Sequence, residues 1–457
     1  MKNSIESLAS ENDIPEISTK TPVVSKKVLI PFLLVTSLFA LWGFANAVTD
    51  PMVNAFKKVL ELSNTQASWV QMAFYGGYFC MALPAAMFMR KYSYKVGVLI
   101  GLALYAGGAL LFYPAAITEK FWFFCLGLYI LTFGLAFLET AANPYILAMG
   151  AKKTATQRLN LAQSVNPVGL IAGLLIAKYF VYDNLQSDDI ADFSALDEAK
   201  RTLIRVSDLA VIRDPYVILG LVILVVFIIF LVSKMPQSKA EGGMPSLGKT
   251  FGELAKNKEY VLGVVSQILY VGAQIMTWTY IYQYAEAIDL ANANVVGYEK
   301  VDVFSYQLLA FILFTIGRFI GTALLRYLSS GKLLMYFALL AAVFVAGTIG
   351  IQGMGGLYCL VGISFCMSLM FPTIYGIALN DLTEEQAKVG SAGLVMAIVG
   401  GALLPMLQGV IIDAGGNGVA DTTIMGVSEV NFSFILPLCC FIMIACYGYM
   451  AFKKFNI

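Results

Sequence analysis

Histidine is absent from the 457 residues. That excludes serine–histidine and cysteine–histidine nucleophiles, imidazole metal ligands, and the side chain that most readily changes charge near neutral pH. Proton chemistry in this chain therefore falls to carboxylates. Charge is scarce too: Asp, Glu, Lys and Arg make up 13%, and 30 basic against 29 acidic residues leave a net charge of +1. Such a balance offers little to a nucleic-acid backbone. The seven cysteines lie in apolar runs without metal-type spacing and read as small packing residues. The expectation is a protein that is not an enzyme and holds no metal or organic cofactor.

What remains is hydrophobic. Apolar residues make up 59% of the chain, and the mean hydropathy is +0.76. A soluble domain could not hide that much apolar surface, so the lipid bilayer is the natural solvent. A spanning helix needs about 20 mostly apolar residues. Twelve segments qualify, among them 28–55, 121–149, 159–181, 214–233, 260–286 and 391–412. The ten-residue alternation of an outer-membrane barrel is missing from these runs. The predicted class is an all-α, multi-pass membrane protein with twelve transmembrane helices.

The loops set its orientation. With the N-terminus in the cytoplasm, the inner face receives Lys26, Lys27, Arg90, Lys91, Lys95, Lys152, Lys153, Arg158 and the five lysines of 234–258. The outer segment 182–214 carries eight acids against four basic residues. Both termini are therefore expected in the cytoplasm. Residues 1–27 are polar and mixed in charge, so the first apolar run is expected to act as an uncleaved insertion signal.

The expected division is a cytoplasmic tail (1–27), an N-terminal six-helix bundle (28–233), a cytoplasmic linker (234–259) and a C-terminal six-helix bundle (260–457). The linker holds the Pro, Gly and Ser of a flexible connection. Weak echoes relate the halves: "LETAANPYILAMG" around Pro144 aligns with "LMFPTIYGIALND" around Pro372. Internal repeats of this kind are common in transporters.

Charges inside spans are rare and mark ion or substrate paths by default. Glu139 lies mid-span in "AFLETAANPY", and Asp50 lies late in the first apolar run, where a plain interfacial carboxylate is the alternative. Each costs about 2.5–3.5 kcal/mol at a helix centre on the insertion scale. Arg318 would mark such a path, but a structural ion pair or snorkelling toward the inner face would serve equally. Lys178, near a helix end, reads as snorkelling. Polar amides gather on the same helices: Asn46, Asn143, Asn160, Gln163, Asn166, Gln274 and Gln283. Amides both donate and accept, as the ring hydroxyls of a neutral sugar require, although hydrogen bonds between helices would also occupy them. Trp42 and Trp278 would offer flat apolar walls to a sugar, or ordinary packing.

The strings "ALWGFANAVTD", "LETAANPY", "RLNLAQSVN", "GRFIGT" and "FPTIY" resemble the fucose–proton symporter branch of the major facilitator superfamily. The resemblance runs from about Phe39 to Gly415. It implies two pseudo-symmetric six-helix bundles around a central cavity that opens alternately to each side. It also implies proton-coupled uptake of a neutral monosaccharide by a monomer in a bacterial inner membrane. L-fucose is the expected sugar, with glucose, galactose or an amino sugar as the alternative. Asp50 and Glu139 would couple protons. Asn46, Asn143, Gln163, Asn166, Gln274 and Trp278 would bind the sugar, while Arg318, Arg90 and Lys91 would be structural or gating. The loop "MFMRKYSYK" lacks the aspartate usual in the superfamily and keeps only the basic part. A membrane sugar sensor would use the same cavity but needs a signalling domain that these spans leave no room for.

Overall fold

The computed structural model describes residues 22–60, 64–190, 196–235, 247–416 and 419–455. The side chains of 50–55, 57, 58, 64–68, 71, 90, 188, 189 and 247 lie outside that set. Among the described residues, twelve helices are long and apolar enough to cross a membrane. The first six are α1 (Leu29–Val59), α2 (Asn64–Lys91), α3 (Tyr94–Thr118), α4 (Phe121–Ala148), α5 (Lys152–Asn184) and α6 (Glu198–Val232). The second six are α7 (Lys258–Ala291), α8 (Val303–Leu324), α9 (Ser330–Gly350), α10 (Met354–Leu379), α11 (Glu384–Gly415) and α12 (Glu429–Lys454). A short hairpin, Thr423–Ile424 paired with Val427–Ser428, precedes α12.

Side-chain caps fix several helix starts by taking up backbone N–H groups that have no partner within the helix. Ser93 accepts from Val96 N at α3, and Asn257 accepts from Glu259 N and Tyr260 N at α7. Thr383 and Gln386 form a reciprocal capping box at α11.

Two helices start earlier than their apolar runs. Helix α6 begins at Glu198 rather than 214, because Asp208 is buried and its carboxylate accepts from Gln186 N (2.9 Å) and Ser187 N (3.0 Å). Helix α5 begins at Lys152 rather than 159. There Arg158, a loop charge on the sequence reading, is fully buried and donates to the carbonyls of Ile146 (2.8 Å) and Val23 (3.2 Å). A cation on carbonyls at the end of α4 complements the negative pole of that helix.

The connection between the halves is not all coil: Leu247–Lys256 is a helix. Its Glu253 accepts from Gln386 Nε2 of α11 at 2.9 Å. The string "GMPSLGKT", 243–250, has the spacing of a phosphate-binding loop. Such a loop needs a strand before it and a helix after it. Here it joins two spanning helices, and Gly248 and Lys249 already lie inside the linker helix.

Several spans are interrupted. Helix α5 breaks at Ser164–Val165, and α11, the fifth helix of the second half, breaks at Ala397–Val399. Interruptions at matching places are expected where two halves share an origin. The proline echo is less symmetric: Pro144 sits inside continuous α4, whereas α10 breaks at Ser368–Leu369, just before Pro372.

Small residues let helices touch backbone to backbone. A Cβ on Gly43 would lie 2.1 Å from Asn166 O, and one on Gly169 only 1.8 Å from Ala40 O, so α1 and α5 cross in direct contact. This crossing brings the polar part of α5 against the middle of α1.

The halves meet tightly at one end, the end that carries Lys26, the linker helix and Lys454. There Gln157 Nε2 donates to Thr322 O (3.2 Å), Asn160 Nδ2 to Thr373 Oγ1 (3.1 Å) and Ser391 Oγ to Thr140 O (3.2 Å). The opposite end, which carries residues 182–190, is parted around a cavity.

Candidate functional site

The cavity between the halves measures about 870 Å³, within the roughly 300–1,000 Å³ of small-molecule sites. Its wall includes Trp42 and Asn46 of α1, Tyr78 of α2, Glu139 and Asn143 of α4, and Gln163 and Asn166 of α5. The second half contributes Gln274 and Trp278 of α7 and Phe311, Phe314 and Arg318 of α8. The lining continues to Lys178, Asp183, Tyr282 and Phe304 at the far end. The cavity thus runs from the middle of the spans toward the end that carries residues 182–190.

Glu139 is 8% exposed, and its Oε2 has no hydrogen-bond partner among the described residues. A buried polar atom without a partner is costly, and this one lies on the cavity wall. One turn on, Asn143 donates from Nδ2 to the Glu139 carbonyl (3.2 Å) and accepts at Oδ1 from Gln163 Nε2 (2.8 Å). Arg318 extends the row from the other half: its Nη1 donates to Gln163 O (3.2 Å) and lies 3.4 Å from Gln163 Oε1. Asn166 Nδ2 donates to Phe39 O at 3.0 Å, the carbonyl that the Gly43–Gly169 crossing brings close. That bond occupies part of the Asn166 amide with helix packing, so it serves both readings.

The aromatic walls are held rather than loose. Trp42 Nε1 donates to Tyr78 OH (3.0 Å), and its ring stacks on Phe39 at 5.2 Å. Trp278 Nε1 donates to Ser364 Oγ (3.1 Å), and its ring meets Phe311 and Phe314 edge-on at 4.9 and 5.2 Å. An indole fixed by its N–H presents a flat face in one orientation.

Asn46, Glu139, Asn143, Gln163, Asn166, Gln274, Trp278 and Arg318 are therefore brought together in one cavity. Asp50 lies one turn beyond Asn46 on α1, and its side chain falls outside the described residues. So does that of Arg90; Lys91 lies exposed at the closed end, its ammonium 5.6 Å from the Tyr92 ring. Lys178 does more than snorkel: it pairs with Asp183 at 2.7 Å on the cavity rim. Near the closed end, Glu384 and Glu385 pair with buried Lys388 of their own helix, at 3.5 and 3.2 Å. The sequence reading missed Tyr78, Phe311, Phe314 and Ser364, since a phenyl ring or a serine in an apolar helix gives no signal apart from packing.

The family model of the Major Facilitator Superfamily matches residues 32–405. The chain belongs to the Major Facilitator Superfamily. Its twelve spans form that family's two pseudo-symmetric six-helix bundles. Among its relatives is an L-fucose-proton symporter of Haemophilus influenzae, 54% identical over 94% of this chain and 98% of that one. A glucose/galactose transporter of Brucella abortus is 31% identical over 92% of this chain and 93% of its own length. A crystal structure of a Major Facilitator Superfamily transporter, FucP, in the outward conformation superposes with a TM-score of 0.80. It is 32% identical and covers 93% of this chain and 99% of that chain.

Proposed function

We propose that this chain is a symporter that takes up a neutral monosaccharide, L-fucose, together with protons by alternating access. The observation that carries the reading is Glu139, a nearly buried acid with an unpartnered oxygen, set in a cavity of amides and fixed aromatic rings. The 54% identity to an L-fucose-proton symporter supports the choice of sugar and of coupling ion. Amides of Asn46, Asn143, Gln163, Asn166 and Gln274 supply donors and acceptors for ring hydroxyls, and Trp278 supplies a surface for the C–H face.

Proton coupling then follows from charge. Carrying a carboxylate through a closed cavity within the bilayer is costly, whereas a protonated acid is neutral. Glu139, with Asp50 as the second acid, takes a proton from the open side and releases it on the other. Each charge that crosses contributes about 2.3 kcal/mol per 100 mV. At 1.4 kcal/mol per factor of ten this sustains roughly fortyfold accumulation of a neutral solute.

The remaining assignments belong to the same reading. The bundles span 28–233 and 260–457, with 1–27 and the linker 234–259 in the cytoplasm of a bacterial cell, and the protein works as a monomer in the inner membrane. In that orientation the cavity faces outward. Glucose or galactose is the second reading, favoured by the Brucella relative. Uptake of labelled L-fucose by proteoliposomes, in competition with unlabelled sugars, tests both. Competition by L-fucose alone among fucose, glucose and galactose is expected, and stronger competition by galactose or glucose refutes the fucose assignment.

A further inference from the structure

Helix α5 breaks at a place that its sequence explains. In a regular helix the Gln163 carbonyl would accept from the backbone N–H four residues on, and that residue is Pro167, which has none. The next N–H, that of Val168, is taken by Val165 O at 3.1 Å. The Gln163 carbonyl is therefore left without a helical donor in the middle of a membrane span, where an unsatisfied backbone group costs several kcal/mol.

The donor comes from the other half of the protein. Arg318 of α8, 155 residues away in sequence and 2% exposed, places Nη1 3.2 Å from Gln163 O and 3.4 Å from Gln163 Oε1. Its guanidinium packs over the Phe314 ring at 4.9 Å. Its Nε has no partner among the described residues. Among the described residues the cation's hydrogen bonds go to one residue of the opposite bundle, and the carbonyl of that residue depends on it in turn.

We propose that Pro167 and Arg318 form a latch between the bundles: Pro167 exposes the Gln163 carbonyl, and Arg318 binds it only while the halves are closed at the end carrying the linker. Arg318 is a positioning residue in this scheme. While the latch is made, one Nη1 group holds both the carbonyl and the amide oxygen of Gln163. The Gln163 Nε2 is then directed at Asn143 Oδ1. When the halves part at that end, Arg318 leaves, the amide loses its orientation, and affinity for the ligand falls on the side where release must occur. The last step rests on the transport reading of the cavity; the latch itself does not.

The test uses the full-length protein in proteoliposomes without sugar, so it does not depend on what is carried. Native cysteines are replaced, and one reporter is introduced at a time. Ser391→Cys reports on the closed end, where Ser391 is fully buried, and Phe304→Cys reports on the far rim. A water-soluble maleimide reads both. Arg318→Gln should speed labelling at the Ser391 position about tenfold, corresponding to 1.4 kcal/mol of differential bonding, and slow it at the Phe304 position. Pro167→Ala restores a helical donor that competes for the same carbonyl and should shift both reporters in the same directions. Gln163→Ala keeps the carbonyl and should shift them much less, and Arg318→Lys should recover part of the parental pattern. Faster labelling at both reporters signals loosening of the fold and overturns the latch. So does a parental pattern in either Arg318→Gln or Pro167→Ala.

Discussion

Gln163→Ala probes the proposed sugar site at its centre. The side chain is 5% exposed, and its amide has four hydrogen-bonding positions, two on oxygen and two on nitrogen. Asn143 takes one N–H at 2.8 Å, and Arg318 approaches the oxygen at 3.4 Å. One N–H and one lone pair remain, on a residue that lines the cavity. Truncation removes those two positions and leaves a sugar hydroxyl without its partner in a desolvated site, at about 1–3 kcal/mol. That range corresponds to roughly 5- to 150-fold weaker binding. Titration of purified protein with L-fucose by calorimetry measures it, with the melting temperature recorded in parallel. Because Gln163 touches Asn143, the Asn143→Ala variant and the double variant should not add. Unchanged affinity in a Gln163→Ala protein of parental melting temperature refutes a sugar contact and leaves this amide as a link between helices.

Three further outcomes are expected. Trp278→Phe loses the N–H bond to Ser364 and part of its flat face; at about 0.5–1.5 kcal/mol for an aromatic contact sugar binding should weaken roughly 2- to 13-fold, and a change below twofold in the same titration removes Trp278 from the site. Gly169→Ala would set a Cβ 1.8 Å from the Ala40 carbonyl; its melting temperature in detergent should fall by several degrees, and a parental value would deny the close crossing of α1 and α5. For orientation, Asn184→Cys and Lys256→Cys in a cysteine-free background should react oppositely in intact cells; an impermeant maleimide should label only the first, and labelling of Lys256→Cys alone would invert the topology.

The twelve spans were legible because lipid solvation demands long apolar runs, and Glu139 was legible because an acid inside such a run needs a reason. Gln163 and Asn166 announced themselves as amides within a membrane span. What stayed hidden has a common cause. The early starts of α5 and α6 rest on Arg158 and Asp208, charged residues whose partners are backbone groups from elsewhere, which no local pattern reveals. Lys178 looked like a snorkelling side chain until Asp183 was placed beside it. The bond from Arg318 to Gln163 joins residues 155 positions apart, and only the packing of the two halves brings them together. The break of α5 before Pro167 went unread, because 159–181 looked like one continuous apolar span.

Proton coupling by Glu139 is tested most directly by comparing two reactions on one batch of proteoliposomes. Glu139→Gln keeps the size of the side chain and part of its hydrogen bonding but cannot carry a proton, and Asp50→Asn does the same for the second acid. Sugar-for-sugar counterflow needs no net proton movement, whereas accumulation against a gradient does. Both variants should fail to accumulate L-fucose when an inward proton gradient is imposed, and Asp50→Asn should retain counterflow, with Glu139→Gln doing so at lower apparent affinity. Accumulation by both variants at the parental level under the same gradient would contradict the role assigned to these acids.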